Sequence, residues 1–285
     1  MRRVGSTVWV TFGLFAGLGG FAATALLATS LAPSLGIESA NALVLGITAA
    51  TLAGSWFVAR LYRIRTFIER PLDELRRVGF VSWGGYAGLI GCALVAARVL
   101  GIPPLDVLDL ALPSSLLASA IGRLGCLSYG CCTGRPSSAG IRWRRPESRI
   151  VRELGESGCV PRVPAQLLSS LHAVATFALV AALAGLARPG LPTLLVLLVY
   201  SLGRFAIECL REEPRYTRFE LTRGQIASAA VFLVALVLLF FLPAEGIAAS
   251  FHLTAFSPLT LVAPLASGAL TFVVCGVHHR HVGTW

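Results

Sequence analysis

Long apolar stretches separated by short polar segments run along the whole chain. A membrane-spanning helix needs about 20 predominantly apolar residues, and most of these stretches meet that length. The fourth and sixth run into charged motifs, and the last could instead be a surface helix. The pattern predicts an all-α, polytopic membrane bundle of seven to eight transmembrane helices, forming one membrane-embedded domain over residues 1–285. The approximate limits of the eight stretches are 7–31, 41–62, 79–100, 107–124, 165–187, 190–210, 224–243 and 256–277.

Composition supports a bilayer as the main solvent. Hydrophobic residues make up 55% of the 285 residues and charged residues only 13%, whereas soluble domains carry about 25% charged residues. So few charges cannot cover a water-facing surface, which excludes an ordinary soluble domain. The net charge of +10 therefore indicates contact with lipid headgroups rather than with nucleic acid.

Arginine is concentrated in every second connection between the apolar stretches. The Arg-rich connections are 60–77, the long polar loop 126–164 between helices four and five, and 211–223. With eight spans, these connections and both termini fall on one side of the membrane. The positive-inside rule then places that side in the cytoplasm.

The first cluster with chemical potential is GRLGCLSYGCCTGR, residues 122–135, which directly follows the fourth stretch. Its four glycines permit close backbone approach, and Arg123 and Arg135 bracket them. Arginine beside exposed backbone N–H groups is a good phosphate site. The alternative is a helix end whose arginine reaches up to the headgroups.

The second cluster is YSLGRFAIECLR, residues 200–211. Arg204 and Glu208 are four residues apart, so they lie on one face of a helix and can form an ion pair. Ionisable groups inside a span are expensive and commonly functional. Either the pair is purely structural, or Arg204 binds an anionic headgroup while Glu208 orients it or takes a proton.

The third cluster is WGGYAGLIG, residues 83–91. Its glycines favour tight packing of helices in a membrane, which is sufficient to explain them. In a functional interpretation, Tyr86 is the polar member that faces a site.

Three of the seven cysteines, Cys126, Cys131 and Cys132, belong to the first cluster. A thiol beside arginine can be an activated thiolate, and Cys131 is our candidate. Small packing residues are a second interpretation. Zinc is a third, but the spacing is irregular and no histidine lies nearby, so we predict no metal site and no cofactor.

The three clusters, in this order, resemble the prolipoprotein diacylglyceryl transferase family. Members of that family carry His-Gly-Gly-Leu-Ile-Gly, then Gly-Arg-Leu/Ile-Gly-Asn with a Glu five residues later and Gly-Arg, then Pro-Ser-Gln-Leu, then Tyr…Arg-x-x-x-Glu-x-x-Arg. This sequence matches them at 86–91, 122–135, 164–167 and 200–211. The resemblance covers roughly residues 50–240.

The chain also departs from the family pattern. Tyr86 stands where the family has its motif histidine, Cys126 where it has asparagine, and Cys131 where it has glutamate. Arg123, Arg204 and their partner Glu208 are retained. The resemblance therefore supports lipid binding more strongly than it supports the family's particular acceptor.

The resemblance implies an enzyme that moves the diacylglyceryl group of phosphatidylglycerol onto the lipobox cysteine of prolipoproteins and releases glycerol phosphate. We expect a monomeric, multi-pass protein of the bacterial cytoplasmic (inner) membrane, with phosphatidylglycerol, an acceptor protein or thiol and the bilayer as partners, and no nucleic acid. The expected catalytic residues are Tyr86, Arg123, Cys131, Arg204 and Glu208, and the expected substrate-binding residues are Gly122, Cys126, Gly134, Arg135, Gln166, Tyr200 and Arg211.

Two alternatives stay open at this point. One keeps the phospholipid donor but uses a small-molecule or cytosolic acceptor, or uses Cys131 as a transient nucleophile. The other is a non-enzymatic lipid transporter or membrane scaffold. Orientation separates the first of these from the family reaction, because the family's motif faces the extracytoplasmic side whereas the arginine pattern predicts the cytoplasm.

Overall fold

A computed structural model of the protein describes residues 2–4, 7–76, 79–184, 188–212, 220–242, 248–252 and 257–279. Within these residues, eight helices are long and apolar enough to cross a membrane. They correspond one to one with the eight apolar stretches, so the prediction of an all-α polytopic bundle is confirmed. The eighth stretch is long enough to be a full span.

Five spans are single α-helices: α1 (Thr11–Leu35), α2 (Ile37–Leu61), α5 (Ser82–Leu100), α6 (Pro104–Tyr129) and α8 (Ala165–Leu183). The sixth span is composite, because a π-helical segment (Val196–Tyr200) joins α9 (Leu191–Leu195) to α10 (Ser201–Glu208). The last two spans are α11 (Arg223–Leu238) with the 3₁₀ turn Leu239–Phe241, and α12 (Val262–Gly276) preceded by the 3₁₀ turn Leu259–Leu261. Short helices α3 (Ile64–Glu69), α4 (Pro71–Arg76) and α7 (Arg149–Leu154) lie in the Arg-rich connections.

Glycines bring α2 and α5 into backbone contact. A Cβ built at Gly88 would lie 2.1 Å from the carbonyl oxygen of Ala50, and one at Gly84 would lie 2.3 Å from that of Gly54. No larger residue fits where the two backbones approach so closely. Small residues commonly allow such close contact between membrane helices. Gly84, Gly85 and Gly88 of the 83–91 cluster therefore serve helix packing.

The centre of the bundle is apolar and closely packed. Helix α1 packs against α6 and α12, and α2 packs against α5. Ala28, Val44, Ala93, Val107 and Leu116 are completely buried where these helices meet. The bundle places the carboxyl ends of α2 and α6 and the amino ends of α5 and α11 at the same side as the Arg-rich connections.

Both chain ends meet in a small antiparallel sheet at that side. Strand β1 (Arg2–Val4) pairs with β2 (Thr7–Trp9), and β2 pairs with β4 (Val277–His279). The first span was predicted from residue 7, but helix α1 begins only at Thr11. The difference arises because residues 7–9 bond to a strand 270 residues later in the chain, which a local apolar pattern does not indicate.

The long polar connection between α6 and α8 contains ordered structure. Helix α6 continues to Tyr129, past the predicted limit of 124. Gly130 caps its carboxyl end with a left-handed φ of 74°, a conformation that favours glycine. Strand β3 (Pro136–Ile141), helix α7 and a 3₁₀ helix over Gly155–Cys159 follow. Both ends of β3 bridge to Arg162, which folds this connection back against the bundle.

Candidate active site

A cavity of about 530 Å³ opens at the Arg-rich end of the bundle. Seven of the eight spans contribute to its lining, and α8 is the exception. Its size falls within the range of small-molecule sites. Four guanidinium groups and one carboxylate line it, so its charge favours an anionic ligand. These charged residues are Arg123, Arg204, Glu208, Arg211 and Arg223.

One side of the cavity, here named the paired-arginine wall, consists of Arg204, Glu208, Arg211 and Thr222. Arg204 Nη1 and Arg211 Nη1 both donate to Glu208 Oε2, the latter over 3.0 Å. The hydroxyl of Thr222 donates to Glu208 Oε1 over 3.3 Å. The predicted pairing of Arg204 with Glu208 is confirmed. Because two arginines share one carboxylate, this wall retains excess positive charge.

The start of α11 holds Glu208 in place. Thr222 and Gln225 form a capping box, in which the Thr222 hydroxyl accepts from the Gln225 N–H and the Gln225 side chain accepts from the Thr222 N–H. A Cβ built at Gly224 would lie 2.7 Å from Glu208 Oε1. Glycine therefore lets the carboxylate approach α11 closely. Our sequence analysis missed these residues, although the Thr-x-x-Gln spacing before an apolar run is a recognisable signal.

A second part of the lining, here named the thiol wall, consists of Arg123, Cys126, Cys131 and Cys132. The three Sγ atoms all lie within 4.8 Å of one another. Among the described residues, Arg123 has no hydrogen-bond or ion-pair partner. Arg123 is half-buried, and a cation partly withdrawn from water without a partner is unfavourable unless a ligand supplies the negative charge. Arg123 is therefore the group in this cavity that is most available to a bound anion.

The thiols of Cys131 and Cys132 have opposite tendencies to ionise. Hydrogen bonding with Cys126 and Cys132, together with burial, raises the pKa of Cys131 well above its usual value. Hydrogen bonds from Cys126 and Cys131, with Arg211 and Arg123 nearby, lower the pKa of Cys132 well below it. We predicted thiolate character at Cys131, which burial and its two thiol neighbours disfavour, whereas the nearby arginines favour a thiolate at Cys132. The catalytic role of Cys131 stays a prediction.

The π-helical segment positions Tyr200 on the cavity lining. The ring of His172 stacks on Tyr200 with centroids 5.6 Å apart and planes 10° apart. A Cβ built at Gly203 would lie 2.3 Å from the His172 ring, so glycine leaves the space that this ring occupies. Single π-helical turns inside α-helices are frequent at functional sites. This one directly precedes α10, which carries Arg204 and Glu208.

Tyr86 lies one layer behind the cavity. Its hydroxyl is 3.0 Å from the Ser119 Oγ, and its ring lies 6.1 Å from that of Tyr200. Ser119 and Tyr200 line the cavity and Tyr86 does not. Tyr86 therefore contacts two residues that line the cavity and does not line it itself, and its catalytic role stays a prediction.

Three further residues from our list support the site without lining it. Gln166 is completely buried, and its Nε2 donates to the carbonyl oxygen of Cys131 over 2.7 Å. The Gly134 N–H donates to the Val163 carbonyl over 2.9 Å. Arg135 has an exposed side chain, and its N–H donates to the Leu210 carbonyl over 2.8 Å. These contacts hold the cysteine loop against the bundle. Because the Arg135 side chain is exposed, the expectation that it binds the substrate is not supported.

The other residues predicted from the sequence do line the cavity. They are Gly122, Arg123, Cys126, Cys131, Tyr200, Arg204, Glu208 and Arg211.

Among the described residues, eight apolar helices with an arginine-lined cavity at one end define a multi-pass membrane protein. The model of the prolipoprotein diacylglyceryl transferase family matches residues 3–241, and the chain belongs to that family. The resemblance found in the sequence is thus confirmed.

Individual relatives carry names from the same family. The chain is similar to phosphatidylglycerol–prolipoprotein diacylglyceryl transferase 2 of Clostridium perfringens (strain 13 / Type A), at 29% identity over 70% of this chain and 76% of the relative. It is similar to the phosphatidylglycerol–prolipoprotein diacylglyceryl transferase of Clostridium tetani at 27% identity, over 68% of this chain and 76% of the relative. A relative from Bordetella avium with that same name is 30% identical over 68% of this chain and 72% of its own length.

Proposed function

We propose that the protein transfers the diacylglyceryl group of phosphatidylglycerol to the thiol of a lipobox cysteine. Membership of the family and the names of the relatives support this reaction. The observation that carries the proposal is the cationic cavity, in which Arg123 has no partner among the described residues while Arg204 and Arg211 share Glu208. A phospholipid phosphate supplies the negative charge that this arrangement needs.

The arginines also suit the way charge develops in the reaction. The acceptor sulfur forms a bond to the glycerol carbon that carries the phosphate, and the bond between that carbon and the phosphate oxygen breaks. Its electron pair leaves with glycerol phosphate, so the phosphate changes from one negative charge towards two. Donors fixed in place around the growing charge stabilise the transition state more than the ground state. We assign this role to Arg123 and Arg204.

Glu208 acts as a positioning residue in this proposal. Both of its carboxylate oxygens already accept hydrogen bonds, Oε2 from two arginines and Oε1 from Thr222. A carboxylate so engaged is poorly placed to receive a proton from substrate. Its contacts instead hold Arg204 and Arg211 in one orientation towards the cavity.

The chemistry disfavours an enzyme cysteine as a transient carrier of the lipid. Attack by Cys131 or Cys132 on the glycerol carbon would produce a thioether, and a thioether sulfur is a poor leaving group. The lipid would therefore remain on the enzyme. We propose direct transfer from phosphatidylglycerol to the acceptor, with the thiol wall facing the acceptor sulfur.

The transfer is tested with purified protein, phosphatidylglycerol labelled in its acyl chains and a lipobox peptide. We expect the label on the peptide cysteine, and none on a peptide in which serine replaces that cysteine. For arginine variants of the cavity, the matched control is Arg98→Ala, because Arg98 is an exposed arginine in the last turn of α5, outside the cavity. Label on a small thiol such as glutathione but not on the peptide would favour the alternative acceptor. Absence of lipid turnover with any thiol would reject the transferase.

We further propose that this multi-pass protein acts as a monomer in the bacterial cytoplasmic membrane, with the cavity on the extracytoplasmic face. An exported acceptor requires that face, although the arginine count of the connections favours the opposite orientation. Cys159, in the 3₁₀ helix of the long connection, reports on this. We expect an impermeant thiol reagent to label Cys159 on intact cells. Labelling only after cell lysis would overturn the orientation and favour a cytosolic acceptor.

A further inference from the structure

Three cysteine side chains converge at the cavity from a short stretch of chain. Cys126 lies in the last turn of α6, and Cys131 and Cys132 follow the end of that helix. Their Sγ atoms all lie within 4.8 Å of one another, and all three residues line the cavity. This cluster includes both positions at which the chain departs from the family's amide and carboxylate.

The backbone is shaped to bring the three thiols together. Side chains of adjacent residues in an extended chain point to opposite sides. Cys132 instead adopts the left-handed conformation, with a φ of 55°. This conformation is uncommon for residues other than glycine. The preceding turn is fixed by the Cys131 N–H, which donates to the Cys126 carbonyl over 3.2 Å, and by Gln166, which donates to the Cys131 carbonyl. A backbone of this cost is retained where surrounding contacts impose it.

The arrangement matches what a thiophilic metal ion needs. Tetrahedral zinc with Zn–S bonds of about 2.3 Å places its sulfur ligands about 3.8 Å apart. The present separations are all within 4.8 Å, so a closure of about 1 Å suffices. Three protein ligands with a fourth position open to substrate are typical of catalytic zinc sites. All three cysteines line the cavity, so a fourth ligand would reach the ion from there.

Charge also favours a metal at this place. Three thiolates around Zn²⁺ form a centre with one net negative charge. Arg123 and Arg211 line the same cavity and offset that charge. The irregular cysteine spacing predicted no metal, but the left-handed turn at Cys132 brings the three thiols together.

We propose that Cys126, Cys131 and Cys132 bind one zinc ion whose fourth position takes the sulfur of the acceptor thiol. This inference rests on the proposed function for the identity of that acceptor. A thiol bound to zinc loses its proton, which leaves to solvent. The zinc-held sulfur then supplies the electron pair for the new carbon–sulfur bond, and the phosphate oxygen leaves with the pair of the broken carbon–oxygen bond. No oxidant or reductant is needed.

The first test measures zinc on the full-length protein in detergent, after reduction and removal of metal with a chelator. Titration with zinc sulfate against a chromophoric zinc indicator should give one zinc per chain. Cys126→Ser, Cys131→Ser and Cys132→Ser should each weaken binding at least tenfold. Cys275→Ser is the matched control, because Cys275 lines the same cavity but is not in the cluster. Equal binding by wild type and the three cluster variants, or no binding at all, would overturn the proposal.

A second measurement needs no variant and therefore does not depend on a variant's folding. Cobalt(II) added to the metal-free wild type should produce thiolate-to-cobalt charge-transfer absorption and the strong visible bands of a tetrahedral site. Addition of the lipobox peptide should change the visible bands, whereas the serine peptide should not. Absence of charge transfer, or a disulfide among the three cysteines that persists as the active form, would contradict the metal site.

Failure of this inference differs from failure of the proposed function. If the metal-free protein transfers lipid at the full rate in the presence of chelator, the transferase stands and the zinc proposal is wrong. If zinc binds as expected but no thiol receives lipid, the metal site stands and the transferase is wrong.

Discussion

The two walls of the cavity differ in how their charged groups are satisfied. On the paired-arginine wall, Glu208 receives hydrogen bonds from Arg204, Arg211 and Thr222. On the thiol wall, Arg123 has no partner within the described part of the chain, and it stands beside three thiols. The first wall is preorganised before any ligand arrives, whereas the second is incomplete without one.

This difference parallels the way the chain departs from its family. The paired-arginine wall keeps the family pattern of Tyr, Arg, Glu and Arg over 200–211. The thiol wall keeps Arg123 but has Cys126 and Cys131 where the family has an amide and a carboxylate. We infer that recognition of the phosphate is retained, while the groups that meet the acceptor sulfur have changed.

The largest effect should come from removing the unpartnered cation. Arg123→Ala should lower kcat/KM for lipid transfer by about 10²- to 10³-fold, because a fixed donor to the developing phosphate charge is lost. Arg123→Lys should recover only part of the rate, since the planar fork of donors is missing. Arg98→Ala provides the control. Full turnover by a folded Arg123→Ala protein would show that the unpartnered arginine of the thiol wall does not bind the phosphate.

An intermediate effect is expected from the paired-arginine wall, whose members should act as a unit. Arg204→Ala and Glu208→Ala should each lower kcat/KM by about tenfold to a hundredfold, corresponding to roughly 1.4–2.8 kcal/mol. The kcat/KM of the double variant should be only slightly lower than that of the less active single variant. The reason is that residues in one network couple by about 0.5–3 kcal/mol. Strictly additive losses would show that Glu208 acts independently, as a proton acceptor would.

The smallest effect should come from crowding Glu208. Gly224→Ala places a methyl group 2.7 Å from Glu208 Oε1, which is too close for both to keep their positions. We expect the shifted carboxylate to move Arg204 and to lower the transfer rate by about tenfold. Gly91→Ala is the matched glycine control, because its added Cβ meets no atom within 4 Å. Unchanged activity in both variants would indicate that the position of Glu208 is not critical.

Features that depend on local periodicity were predictable from the sequence. Hydropathy located all eight spans, since each span is a continuous apolar run. The spacing of four residues was sufficient to pair Arg204 with Glu208, because both lie on one helix. Gly84, Gly85 and Gly88 were correctly interpreted as packing residues, because small residues at helical spacing favour close helix contact.

Features that depend on distant parts of the chain were not predictable. Pairing of β2 with β4 joins segments from opposite ends of the sequence. The left-handed backbone at Cys132 determines where the three thiols meet. Because Cys132 is not a glycine, no residue pattern predicts this conformation. Tyr86 was predicted to face the site and Arg135 to bind the substrate. Only the fold shows that Tyr86 contacts Ser119 behind the lining and that the Arg135 side chain is exposed.

The most direct test of the central claim counts both products in a single reaction. Phosphatidylglycerol labelled in its headgroup and in its acyl chains is incubated with the protein and the lipobox peptide. The account predicts one glycerol phosphate released for each diacylglyceryl thioether formed on the peptide, and loss of both products together in Arg123→Ala. Release of glycerol phosphate without thioether, or thioether formation that is unaffected by Arg123→Ala, would contradict it.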